Sequence, residues 1–312
     1  MSEHLNIEMS AFEELLLRHP TSPWDWTFVS TNPSVSFEFI LEHPEMSWDP
    51  KYVSRNISVT EDHVRNNLSY PWDYRGLCMN PNLSFEFFDE FIIKPVALHR
   101  VDWHLLSANS SVTVRNISEN IHYKWNDKYL SMNPNITSNY ILNEGKSRHW
   151  FVPFVSANPG ITESDIFKSR LKKMFDWDYT NLSANVNLPM VYVNDNPDND
   201  WNYHSISMRA NMIDIQNYHR VKWDAMGLSL NPNITFDFVL KNPQISWHRP
   251  SLLMNPAISL DAILDNASWF GNIIYQPNSI VCSNPTITKD WIEENSYYVD
   301  WARLSNNSLI KK

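Results

Sequence analysis

The sequence predicts an all-α protein, an α-solenoid of about twelve short helix-turn-helix repeats. Three observations carry that reading. A marker asparagine, in most copies followed by proline, recurs at Asn32, Asn56, Asn80, Asn109, Asn133, Asn158, Asn185, Asn231, Asn255, Asn284 and Asn307, with a degenerate copy at Arg209–Ala210. Asn32 and Asn307 lie 275 residues apart over eleven steps, a mean period of 25, which falls in the range of repeat arrays. A helix-start signal follows most markers, and a tryptophan stands eight residues before nine of them. The pattern is clearest from Trp223 to Pro243. It returns as L-S-M-N-P-N-I-T at Leu130–Thr137 and as L-C-M-N-P-N-L-S at Leu77–Ser84.

The second half of each repeat reads as a helix. Four residues after the marker stands an N-cap residue: Ser36, Thr60, Ser84, Thr113, Thr137, Thr162, Thr235, Ser259 or Thr288. An acid often follows two residues later (Glu38, Asp62, Glu86, Asp237, Asp261, Asp290), facing the positive end of the helix dipole. The residue before the cap and the one four after it are apolar in all nine copies, as in Val35 with Ile40 and Ile234 with Val239. That pairing is the hydrophobic staple. Pro44 and Pro243 end their helices.

The first half runs from the tryptophan (Trp24, Trp48, Trp72, Trp125, Trp150, Trp177, Trp201, Trp223, Trp247) to an aliphatic residue three before the marker. Between them lies a frequent aromatic or aliphatic (Phe28, Tyr52, Leu105, Tyr129, Phe154), and together these fit one face of a two-turn helix. A leucine-rich horseshoe has a similar period but needs apolar alternation before the asparagine. Thr27, Lys51, Arg75, His104 and Lys128 interrupt that alternation, so helical pairs are preferred.

The recurring residues read as structural. The tryptophans are expected to be pegs between neighbouring repeats, each contributing at most about 5 kcal/mol for ~200 Å² buried. The marker asparagines are expected to be buried and bonded to main chain as a ladder, since an amide carries both donor and acceptor. Cys78 and Cys282 occupy a slot that serine fills elsewhere, which suits small buried thiols in a reducing compartment rather than a disulfide. His19 and His43, each before a proline, read as helix-end residues contacting free carbonyls. Asn-x-Ser/Thr triplets such as those at Asn135 and Asn233 follow from the repeat motif itself and say little about glycosylation.

The organisation predicted is a single elongated repeat domain over 1–312, a right-handed or gently twisted rod or arc of roughly 100 Å at the usual ~8–10 Å helix separation. Residues 1–20 carry an N-terminal capping helix, and 299–312 an incomplete last repeat. The steps Asn80–Asn109 and Asn255–Asn284 are 29 residues long, and Asn158–Asn185 is 27. In the copies ending at Asn109 and Asn307, Val101 and Val299 replace the tryptophan, with Trp103 and Trp301 two residues on. Around Arg209 the marker is lost; Ile213, Asp214 and Tyr218 restore staple and cap if one residue is inserted. The degenerate stretch 186–215 is the expected bend or specialised surface.

Composition narrows function. Five glycines leave little supply for phosphate-cradling loops, and there is no nucleophile elbow, H-E-x-x-H, Walker loop or zinc-type C-x-x-C. The reading is therefore not an enzyme, with no catalytic, cofactor-binding or metal residues and no cofactor; which residues bind is unknown. A net charge of −10 and a pI of about 5.5 count against nucleic acid as a partner. No apolar run approaches the ~18–20 residues needed to cross a bilayer, and the first residues lack a leader pattern, so no membrane insertion is expected.

The pattern W-D/N…[LV]-S-x-N-P-N-I-T-x-D/E…N-P resembles the short, 24–25-residue Trp/Asn-Pro repeat proteins encoded in many copies by giant nucleocytoplasmic large DNA viruses of protists. The resemblance covers Pro20 to Asn307, sharpest at Trp223–Pro243 and faintest at 186–215. It implies a viral protein acting in the host cytoplasm, in the virus factory or in virions, and supplies no catalytic residues. The function expected is a non-enzymatic scaffold for protein-protein interaction, binding an unknown host or viral protein, with the oligomeric state open and monomer as the default. A virion structural component is the alternative, and a single-stranded RNA reader, which would need a basic stripe, comes third. Contact falls to residues that vary between repeats, such as Phe236, Lys241 and His248.

Overall fold

The computed structural model describes residues 9–94, 101–167 and 174–310. Every regular element among them is a helix, three to eight residues long, and the one β-bridge, Ser279 with Val299, stands outside any strand. The architecture is the all-α repeat array the spacing predicts. Contacts gather the chain into two compact units, Met1–Pro71 with Arg249–Lys312, and Trp72–His248.

The second-half helices start where the sequence places them. Ser36, Thr60, Ser84, Thr113, Thr137, Thr235, Ser259 and Thr288 each accept a hydrogen bond from the backbone N–H three residues on. Thr162 differs, its hydroxyl donating instead to Asp165 Oδ2 at 2.7 Å. The staple pairs are buried: Val35 with Ile40, Leu83 with Phe88 and Ile234 with Val239 are all at most 2% exposed.

The first-half helices begin later than expected. The tryptophan lies outside the helix, and the Asp or Asn after it is the N-cap: Asp25, Asp49, Asp73, Asn126, Asp178, Asn202 and Asp224 all accept backbone N–H bonds. A carboxylate satisfies orphan amides and meets the dipole at once. The aliphatic three before the marker is buried throughout, but the intermediate aromatics are not on that face. Phe28 is exposed, and Lys51 and Lys128 lie over the rings of Tyr52 and Phe154 instead.

Within each unit, three kinds of bond recur between neighbouring repeats. The indole N–H of Trp24, Trp48, Trp125, Trp150, Trp201 and Trp247 donates to the carbonyl five residues earlier, at the end of the preceding helix, over 2.7–3.0 Å. Its ring meets an aromatic of that helix edge-on, as Trp48 meets Phe39 and Trp150 meets Tyr140. The peg expectation holds, with an added role as a C-terminal cap. Main-chain amides, not the imidazoles, close the helices at His19 and His43, correcting the expected histidine contacts; the His43 ring faces Glu45 and that of His19 faces Trp301.

The second bond belongs to the serine slot. Ser30, Ser107, Ser131, Ser156, Ser183, Ser207 and Ser229 are buried, and each hydroxyl accepts from the backbone N–H following the next tryptophan, over 2.8–3.1 Å. Cys282 does the same with sulfur, taking the Asp300 N–H at 3.2 Å. Both cysteines are free and buried, and burial pushes the Cys78 thiol up to about 12 and the Cys282 thiol up to about 11. Neither should react with a thiol-disulfide reagent at pH 8 while the chain is folded, and both should react in guanidinium. Rapid native-state labelling of either would show that its slot opens.

The third bond is the ladder. Asn56 Nδ2 donates to the carbonyls of Ser30 and Asn32, Asn158 to Ser131 and Asn133, and Asn185 to Ser156 and Asn158, all near 3.0 Å. Each Oδ1 accepts the N–H two residues on, as Asn56 does from Ser58 and Asn133 from Asn135. The marker asparagines are at most 6% exposed. Buried carbonyls left by the turns are satisfied this way.

Within Trp72–His248, the long step after Asn80 is absorbed by helix: Phe85–Phe87 runs into a π-helical segment, Phe88–Ile93, burying Phe88, Ile92 and Ile93. Part of the 27-residue step lies outside the described residues. Within the other unit, the long step after Asn255 is absorbed by Ala267–Phe270 and a 3₁₀ turn at Gly271–Ile273, with Gly271 at φ 73°.

That unit also holds the first described helix. Ala11–Arg18 is the second-half helix that the sequence suggests, capped by Ser10 and Glu13. Trp301–Ser305 is a first-half helix. Asp25 N–H donates to Ser305 Oγ at 2.9 Å, and Asn32 Nδ2 to the carbonyls of Ser305 and Asn307 at 3.0 and 3.3 Å. Trp301 packs edge-on against Trp24. Beside them Arg18 pairs with Glu293 at 2.7 Å, and Lys289 pairs with Glu14. Residues 301–307 therefore stack on 25–32 by the ordinary ladder, with the second-half helix Ala11–Arg18 beside them.

Candidate interaction surface

The recurring polar residues are consumed by the fold, so a site must be sought among those left over. Among the described residues no group of three His, Cys, Asp or Glu side chains could hold a metal ion, and no helix is long and apolar enough to cross a membrane. The variable residues singled out from sequence separate: Lys241 and His248 are exposed, whereas Phe236 is buried and belongs to the core. Three features of Trp72–His248 remain.

One is an apolar row. The residue just before each marker in this unit is Met79, Ala108, Met132, Ala157, Ala184, Met208 and Leu230, none of them buried. Met79, Met132 and Met208 are 42%, 45% and 39% exposed. The slot is the last or capping position of the first-half helix, so its side chain repeats at the array's own spacing. In the other unit the same position is polar at Thr31, Arg55, Ser283 and Asn306 and apolar at Met254. Unbranched, polarisable methionine suits a surface that must fit a partner.

The second is a cleft of about 510 Å³ around Arg75, Asp102, Trp103, His104 and Lys124. Asp102 is committed: it caps the helix Trp103–Ala108, and Arg75 Nε lies 3.1 Å from it. The basic side chains five before the marker run Arg75, His104, Lys128 and then stop at Pro153 and Thr180.

The third is the turn at Arg209. Its indels differ from expectation. Ala210, fully buried, takes the staple position, and Asn211 caps the helix Met212–Asn217 in a capping box with Asp214. The turn has thus lost two residues, where one insertion was expected, and Ile213 is left 66% exposed. Arg209 replaces the ladder asparagine with a longer reach, Nε donating to the Ser183 carbonyl at 3.1 Å and Nη1 to that of Leu188 at 2.8 Å. Nη2 is buried with no partner. Burial lowers the guanidinium to about 10, against the pull of Asp214, so it stays charged at neutral pH. A gap of about 340 Å³ opens here, lined by Val186, Leu188, Met190, Arg209, Asp214 and Tyr218 among others.

No family model, curated protein or solved structure matches this chain.

The expectation that 186–215 is a specialised surface thus meets a distinct local geometry. The methionine row was missed because it adjoins a strong motif and looks like part of it. Its signal was available: the slot is apolar in eight successive copies, Met79 to Met254, and polar in the other four.

Proposed function

We propose that this chain is a non-enzymatic repeat scaffold whose Trp72–His248 unit binds a protein partner along the methionine row. The observation that supports it is that row: seven unburied apolar positions in register on a surface otherwise free to be polar. Read with the resemblance to giant-virus repeat proteins, the partner is a host or viral protein met in the infected cell's cytoplasm.

The test is the triple variant Met79→Gln, Met132→Gln, Met208→Gln. The side chains are largely exposed, so the melting temperature should hold within a few degrees. Partners captured by the wild type should bind the variant at least about tenfold more weakly, as expected when a central apolar cluster is removed. A Lys241→Ala control should keep them. Equal capture by wild type and triple variant would defeat this reading. Detection of the chain by mass spectrometry in purified particles would move it to a virion component instead.

A further inference from the structure

The gap at Arg209 has a counterpart in neighbouring repeats, where the chain fills it. Two residues after the marker, Asn135 Nδ2 donates to the carbonyls of Ser110 and Val112 at 2.7 and 3.0 Å. Asn187 repeats this with Pro159 and Ile161 at 2.9 and 3.1 Å, and Asn233 reaches Ala210 at 3.3 Å. At Arg209 the residue that would carry this amide is deleted, together with the one before it. Arg209 Nη1 takes the Leu188 carbonyl, the counterpart of Val112 and Ile161. The Val186 carbonyl, counterpart of Ser110 and Pro159, receives no asparagine among the described residues, and Val186 itself is 68% exposed.

We propose that this gap is a docking site for an asparagine-bearing extended segment of a partner protein, which supplies from outside the turn residues the repeat lacks. The inference rests on the scaffold reading. The chemistry of the walls selects an amide. Arg209 Nη2, without an acceptor, calls for a carbonyl oxygen, reached by a small shift of the guanidinium toward the gap it lines. The Val186 carbonyl and the Asp214 carboxylate call for donors. A carboxylate ligand would meet Asp214, and a cationic one would meet Arg209; a neutral amide offers acceptor and donor together. Val186 and Met190 provide apolar contact for the residues flanking it.

The probe is acetyl-Asn-Pro-Asn-Ile-Thr-amide, titrated into the full chain labelled with ¹³C at the methionine methyls, with Met190 as the reporter in the gap. The expected result is a saturable shift of Met190 that weakens at least tenfold when both peptide asparagines are alanine. No shift, or an equal response to the alanine peptide, overturns the proposal. Two variants should abolish the response. Arg209→Asn with Pro-Asn inserted after it rebuilds the standard turn and should keep or raise the melting temperature. Val186→Trp obstructs the gap from an exposed position and guards against the first variant failing to fold. Peptide binding that survives Val186→Trp overturns the site. If wild type and Val186→Trp capture the same row-dependent partner while neither binds the peptide, the scaffold reading stands and this inference falls. Peptide binding blocked by Val186→Trp, with no partner captured, supports the site's chemistry and counts against the scaffold reading.

Discussion

Asn133→Asp should destabilise the chain by about 4 kcal/mol or more, enough to leave it largely unfolded at temperatures where the parent is folded. Asn133 is fully buried, and its Nδ2 donates to the carbonyls of Ser107, Asn109 and Val112 at 3.0, 2.9 and 3.1 Å. The substitution keeps the shape and the Oδ1 bond to Asn135 N–H. It replaces the donor with an oxygen facing three carbonyl oxygens and buries a charge there. Burial would raise the new carboxyl's folded pKa, so the deficit should shrink as pH falls and the acid regains its proton. Asn135→Asp, the same change two residues on at a half-buried site, should cost about 1 kcal/mol. Urea denaturation of the two variants compares them directly; equal losses would show that the ladder position is not special.

Trp150→Ala should cost about 3–5 kcal/mol, the usual range for emptying a buried aromatic site. Trp150 is 9% exposed, donates its indole N–H to the Gly145 carbonyl at 3.0 Å and packs edge-on against Tyr140. An added Cβ on Gly145 would stand 2.7 Å from the indole, so the ring also holds that turn in place. Trp223 occupies the same slot, but it is half-buried and its indole N–H has no partner. Trp223→Ala should therefore cost roughly half as much. Thermal melts of both variants test whether the cap bond and burial, rather than the motif position, set the loss. A larger loss at Trp223 would contradict that.

Much of this was legible because the repeat averages out local noise. A buried Leu77 or Ile136 means little alone, but twelve aliphatics in one slot specify a face, and the hydroxyl-plus-staple signal located the second helix to the residue. What escaped were features with two equivalent readings. Trp24 and Val29 are five apart and fit a helical face, yet Asp25 between them is a better N-cap than helix residue and starts the helix after the tryptophan. Ser30 and Cys282 looked like space-fillers because a small residue and a buried acceptor have the same sequence signature. At Arg209 one insertion and two deletions both restore the register; only the burial of Ala210 decides between them. Phe236 varies between repeats but is inside, because variation also accompanies repacking. The pairing of Ser305 with Asp25 lies beyond any periodic argument, since a period does not say what its last member touches.

The pairing of Ser305 with Asp25 bears on how the protein folds and exchanges. A linear array frays from its termini, where a unit has a neighbour on one side only. Here the contacts of Ser305 with Asp25 and of Asn307 with Asn32 join residues 280 and 275 apart in sequence. Contacts of such separation form late, after the local ladders that present their two halves to each other. Amide protection near Asp25 and Ser305 then depends on that pairing as well as on their own short helices.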